Sequence, residues 1–194
     1  MLIYTAMSLS KTILVRSLVL FQTHGIKTVR MDDIAKEMGL SKKTIYLHYG
    51  SKKELVQKCI HYLFDLHFSN IKRIQDERGT PIEKIKKIYE YAVKHLIKVT
   101  PNFYFDLKRG YPETYQFYAL QRGKIVFGII KTLLKKGQRS GEIDPTINTQ
   151  LFCEFHLINL DQVISHKTAL MEYSLQDLLD NTIRVSLNGI IKRQ

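Results

Sequence analysis

Lys42, Lys43, Thr44, Tyr46, Leu47 and His48 fall within seven residues of the 194-residue chain. Ser41 stands just before them, Arg30 some ten residues earlier, and Lys52 shortly after them. Ammonium and guanidinium groups bind phosphate, and hydroxyl, phenol and imidazole tips can reach base edges. The set is one for binding a nucleic acid, not for breaking a bond. Catalytic patterns do not accompany it. There is no Gly-x-Ser-x-Gly elbow and no phosphate-cradling glycine loop. His61 and His67 are six apart, off a common helix face, and Cys153 with His156 is a lone i, i+3 pair. Zinc needs three or four convergent ligands, so no metal and no cofactor is expected. An enzyme is the weakest hypothesis.

To be useful, the basic and aromatic residues must project from one short rigid element, and the surrounding sequence supplies it. Met31, Ile34, Ala35 and Met38 fall at i, i+3, i+4 and i+7, the stripe of a short amphipathic helix. Gly39 can stop it in a left-handed cap, Leu40 follows as a buried plug, and Ser41 caps a second helix. In that second helix Ile45 and Tyr49 share one face, while Lys43, Tyr46 and Leu47 point to the other, flanked by Lys42. Two short helices around a tight glycine turn, the second with lysine and tyrosine outward, predict a helix-turn-helix. A plain hairpin of two long helices would not need a second helix so short with so polar an outer face; the bland alternative is a solvated charged face over a small core. Ser51 with Glu54 forms a capping box, so a third helix starts there. Its free N–H groups and Lys52 would offer a phosphate site on the same side.

The segment from about Ser10 to Leu55 resembles the DNA-binding domain of the TetR family of bacterial transcriptional regulators. The matching features are Phe21 and Gly25, Asp33-Ile34-Ala35, Gly39-Leu40-Ser41, Thr44-Ile45-Tyr46, His48-Tyr49 and Ser51-Lys52-Lys53-Glu54-Leu55. One departure matters. The family usually has Thr or Ser before the second helix, capping it and touching a phosphate, where Arg30 stands here. Arginine can bind phosphate but cannot cap.

The formal charge of +12 favours a polyanionic partner. Up to Gln57 nine Lys/Arg face four acids, an excess of five that leaves seven for the rest. The surplus is therefore general, and fits anionic ligands or solubility as well. Cys59 and Cys153 make no disulfide framework and suit a reducing cytoplasm as small buried hydrophobes. The apolar N-terminus lacks a basic n-region, and Lys11 and Arg16 interrupt it, so it does not read as a signal peptide. Met7 is a possible true start. No later run approaches the ~20 apolar residues of a membrane span.

Taken in order, the chain predicts an all-α protein of about nine helices. A first helix capped by Ser10 runs to about His24, with Ile13, Leu14, Leu18 and Phe21 inward. With the two motif helices it makes a three-helix domain, residues 1–50, too small to be comfortable alone. Residues 51–194 form a helical second domain. The helix from Ser51 runs to about Gln75, and the next starts at Thr80-Pro81-Ile82-Glu83. Phe103-Tyr104-Phe105 makes a helical turn, and one long helix spans about Glu113 to Gln138 with Ile125 and Ile129 on its stripe. The last two helices are expected at about Pro145 to Ser165, with Leu151, Phe152, Phe155, Ile158 and Val163, and Leu175 to Ile191, with Leu178, Leu179, Ile183, Leu187 and Ile190.

Two function classes remain open. The resemblance implies a homodimer through the two C-terminal helices and a small-molecule cavity among the central helices. His95, Phe103, Tyr104, Tyr115, Tyr118 and Phe127 are its candidate lining. The first reading is a cytoplasmic repressor bound to a two-fold double-stranded DNA operator and released by that ligand. The second is a helix-turn-helix DNA-binding protein whose second domain only dimerises or docks a protein.

Overall fold

The structure, a computed structural model, describes residues 7–96, 98–165 and 173–192. The lead-in before Met7 lies outside them, as do the side chains of Val163, Leu178 and Leu179. The fold is all-α. Its helices are α1 Leu9–His24, α2 Met31–Glu37, α3 Lys42–His48, α4 Lys52–Asp76, α5 Pro81–Leu96, α6 Pro101–Gly110, α7 Pro112–Gly123, α8 Lys131–Arg139, α9 Thr149–Ser165 and α10 Leu175–Asn188. A π-helical segment, Lys124–Ile130, joins α7 to α8 without a break, so the described residues hold nine separate helical rods.

The chain divides into two compact units. The first takes residues up to Leu66 together with Asn102–Tyr118, and the second takes His67–Pro101 and the chain from Ala119 onward. The division expected from sequence fell after Gly50. Three short helices bury too little on their own, and α4 and α6 complete the first unit's core. Leu55, Val56, Cys59, Ile60, Leu63 and Phe64 are buried along α4, with the Cys59 thiol 3.5 Å from the Leu14 carbonyl oxygen. Phe103 and Leu107 are buried from α6, whose Asp106 carboxylate accepts the Lys27 backbone N–H at 2.7 Å. Gly25 ends α1 at φ 87°, and a Cβ there would come within 3.0 Å of Asn102 Cβ, so glycine is needed twice over.

Helix starts follow their caps, with two corrections. Ser8, not Ser10, caps α1 by accepting the Lys11 N–H at 3.3 Å. Ser10 is one turn inside, its hydroxyl 3.0 Å from that of Tyr49. Nor does Pro145 begin α9. Asp144 closes a side-chain turn, accepting from the Thr146 N–H at 2.8 Å and hydroxyl at 2.6 Å. The Gln138 amide holds that turn by donating to the carbonyls of Asp144 (3.0 Å) and Ile147 (2.8 Å). Asn148 then caps α9, accepting from the N–H groups of Gln150 (3.0 Å) and Leu151 (3.1 Å). The box predicted at Thr80 is formed, with Thr80 N–H on the Glu83 carboxylate at 2.8 Å and Glu83 N–H on Thr80 Oγ1 at 3.3 Å.

The second unit packs α5, the π segment, α8, α9 and α10 around Ile85, Ile88, Tyr89, Val93, Val126, Ile130, Leu134, Cys153, Ile183 and Leu187. Helix α10 ends at Asn188, short of the expected Ile191, because Ile191 makes an antiparallel bridge with Ile143. Asp144 N–H donates to the Ile190 carbonyl at 3.0 Å and Lys192 N–H to that of Glu142 at 3.2 Å. Within this unit the inward positions run Gln121, Val126, Ile130 and then Leu133 and Leu134. Sequence periodicity put Ile125 and Ile129 inward, and both are only half-buried. The π segment holds one residue more than an α-helix would, which moves the buried stripe on by one position.

Candidate nucleic-acid interface

The stripe of α2 is inward as its spacing requires: Met31, Ile34 and Ala35 are buried, and Met38 is half-buried. Gly39 turns the chain at φ 64°. Leu40, expected as a buried plug, is half-buried. Ser41 caps α3 by accepting the Thr44 N–H at 3.0 Å, and its hydroxyl lies 2.8 Å from that of Thr44. Ile45 is fully buried and Tyr49 is 6% exposed. The Tyr49 hydroxyl donates to the Ser10 carbonyl at 2.9 Å, which pins the end of α3 to α1. Burial raises that phenol's pKa above its ordinary value, so it stays a donor. The opposite side of α3 is open: Tyr46 is 41% and Leu47 75% exposed, and Lys43 and His48 are exposed with them.

Arg30 precedes α2 without capping it, and the helix starts regardless. The Asp33 carboxylate accepts the Arg30 backbone N–H at 2.7 Å, supplying the half of a capping box that an arginine leaves possible. The Arg30 side chain is therefore not spent on the cap, and the residue is exposed.

Two of the cations are not free. Lys42 Nζ lies 2.8 and 3.0 Å from the two carboxylate oxygens of Asp32, tying α3 to α2. The hydrogen bond to Asp32 raises the lysine pKa further. Lys53 likewise pairs with Glu113 at 2.9 Å. Lys52 is half-buried with its ammonium 6.0 Å over the Phe21 ring. Burial lowers its pKa, Asp106 and Asp33 work against that, and Arg30 adds to it. Sequence reading missed Asp32 as the partner of Lys42. The signal was present, since an acid in the first turn of α2 is favoured by the helix dipole.

The candidate ligand residues are not brought together in one place. Phe103, Tyr104, Tyr115 and Tyr118 lie in the first unit and form a chain of rings: Phe103 to Tyr104 at 5.3 Å, Tyr104 to Tyr118 at 5.7 Å and Tyr115 to Tyr118 at 6.2 Å. Phe103 is 1% exposed, a core position. His95 belongs to the second unit, 5.3 Å from the His67 ring and 4.5 Å from that of Tyr91. Phe127 packs half-buried against the second unit's core. A groove of about 380 Å³ runs along α1 and α4, lined by Lys11, Tyr49, Lys58, His61, Tyr62 and Asp65 among others, and includes none of the six. No helix among the described residues is long and apolar enough to cross a membrane.

Residues 13–59 match the family model of bacterial regulatory proteins, tetR family. An HTH-type transcriptional regulator of Staphylococcus aureus (strain USA300) is 28% identical over 78 residues, which are 40% of this chain. The match spans only 42% of that relative's length. A transcriptional regulator from Saccharomonospora viridis, solved in complex with choline, superposes with a TM-score of 0.81 at 18% identity, covering 95% of this chain and 98% of the other. The regulator FadR from Bacillus subtilis, solved in complex with stearoyl-CoA, gives 0.69 at 19% identity over 93% and 98%. At those identities the likeness is one of fold. Residues 13–59 thus match the tetR-family model, and over nearly the whole chain the fold is like that of these solved regulators.

Proposed function

We propose that the protein is a DNA-binding transcriptional regulator of the cytoplasm, a homodimeric repressor released from a two-fold operator by a small molecule. The observation that carries this is the two-sidedness of α3. Ile45 and Tyr49 anchor it while Lys43, Tyr46, Leu47 and His48 are presented to solvent, as a helix entering the major groove requires. Ser41, Lys42 and Thr44 at its start, with Arg30 and Lys52, are assigned to phosphates. Dimerisation is supported by α9, where Leu151, Phe155 and Ile158 stand at i, i+4 and i+7 with 50%, 58% and 54% exposure. Val185 of α10 is 70% exposed. Such apolar positions fit a second copy of the same helices. Release by a small molecule is supported by the relatives of like fold solved with choline and with stearoyl-CoA. Selection from random duplexes tests the reading. It should enrich inverted repeats with half-sites about one helical turn apart; recovery of no common sequence would overturn it.

The pairing of Lys42 with Asp32 gives a sharper expectation. DNA phosphate must compete with the Asp32 carboxylate for Lys42, and the carboxylate itself repels the backbone. Asp32→Asn should therefore tighten operator binding roughly three- to tenfold at low salt and steepen its salt dependence. Thermal stability should fall slightly, since α2 loses an acid from its first turn. Gel shifts across a sodium chloride series check both signs. Weaker binding by the variant would mean that Asp32 positions Lys42 instead of restraining it.

A further inference from the structure

Among the described residues, the core of the second unit holds two buried polar atoms without a hydrogen-bond partner. Tyr89 on α5 and His156 on α9 are 6% and 2% exposed. Their ring centroids are 4.6 Å apart, with the planes tilted by 53°. Neither the Tyr89 hydroxyl nor His156 Nε2 has a hydrogen-bond partner among the described residues. Cys153, which acts electrostatically on Tyr89, directs its S–H to the Val126 carbonyl oxygen at 3.7 Å. Phe152 stacks on His156 at 5.8 Å and 13° and offers no polar atom. A polar atom buried without a partner carries its full desolvation cost, and the great majority in folded proteins are satisfied. Here the two side chains that carry these atoms, from two helices, pack ring against ring beside an apolar cluster.

We propose that Tyr89 and His156 form the polar end of a ligand site in the second unit, and that the site takes an apolar molecule carrying one uncharged hydroxyl or carbonyl group. This rests on the reading of the second unit as the effector-binding part. A ligand hydroxyl accepts from the Tyr89 O–H and donates to the unprotonated Nε2. A carbonyl oxygen accepts from Tyr89 and, in the other tautomer, from Nε2–H. Burial keeps both side chains neutral, pushing the imidazole pKa down to about 4 and the phenol pKa up. The residues of the surrounding cluster are apolar, so burying an ionised head group there costs its hydration. The site thus selects on charge as well as shape.

Three probes of equal chain length separate the possibilities: 1-octanol, octanoate and octylammonium, titrated calorimetrically into the full-length protein. Octanol should bind at least tenfold more tightly than either ion. Tyr89→Phe and His156→Leu should each weaken octanol about tenfold. The thermal midpoint of Tyr89→Phe, without octanol, should not fall, because the phenol gives up no hydrogen bond. Equal binding of the ions, no binding of octanol, or wild-type affinity in Tyr89→Phe would each overturn the site and leave the pair as a water-bridged core contact. If His156→Leu does not fold, Tyr89→Phe decides alone. Gel shifts with octanol present keep the two readings apart. Pair-dependent binding that leaves operator affinity unchanged would uphold the site and sink release by a small molecule.

Discussion

Tyr46→Ala is expected to abolish specific operator binding while leaving the helix content of the protein unchanged. The ring is 41% exposed, on the side of α3 away from Ile45, which is fully buried, and Tyr49. Its removal therefore takes nothing from the core that holds α3 in place. A specific contact to a base is worth about 1–3 kcal/mol. A two-fold complex loses it twice, about 2–6 kcal/mol, or roughly 30- to 20,000-fold in affinity. Non-specific binding, carried by lysines and phosphates, should persist at low salt. Wild-type affinity for a selected operator, with an unchanged circular dichroism spectrum, would remove α3 from the role of reading helix.

The second large effect is expected at Phe155. It stands in the middle of the exposed stripe Leu151, Phe155 and Ile158, while Cys153 and His156 on the inner side of α9 are 0% and 2% exposed. Phe155→Asp should thus leave the protomer folded and break the dimer. A carboxylate and its symmetry mate would be desolvated in one apolar seam, each without a partner, which costs several kcal/mol. The dimer dissociation constant should rise by a factor on the order of 1,000. Sedimentation equilibrium would show a monomer at micromolar concentration. Operator affinity should fall more than 100-fold, because a monomer engages one half-site alone. A variant that remains a dimer would put the interface elsewhere on the surface.

How much of this could be read from the sequence depended on how local each determinant is. The helix-turn-helix was legible because its signals lie within a turn of one another: the Met31-Ile34-Ala35 stripe, Gly39 at φ 64°, and the Ser41 cap on Thr44. Misreadings began where two residues could serve equally and a distant one chose between them. Ser8 and Ser10 are both fit caps for α1, and Tyr49, 39 residues on from Ser10, engages Ser10 and leaves the cap to Ser8. Asp144-Pro145 and Asn148 are both fit starts for α9, and the Gln138 amide holds the first pair in a turn. The restraint of Lys42 by Asp32 spans ten residues and two helices, and so is invisible to periodicity. In the sequence His156 stood out only as a lone i, i+3 pair with Cys153, and nothing local to Tyr89 pointed to it. Only the packing of α5 against α9 shows that their polar atoms are left without partners.

The π segment between Gly123 and Lys131 bears on where this chain can change length. Deleting a residue from a regular helix turns everything after it by about 100°, and within α8 that would carry Lys135 or Lys136 toward the core where Leu133 and Leu134 now pack. The π turn already holds one residue beyond what an α-helix needs. Loss of a single codon from Lys124–Ile130 would draw the wide turn into an ordinary one and leave Leu133 and Leu134 facing inward. The segment is thus a slack link in an otherwise indexed rod, the one stretch of it where the gene can shorten without turning lysines into the core.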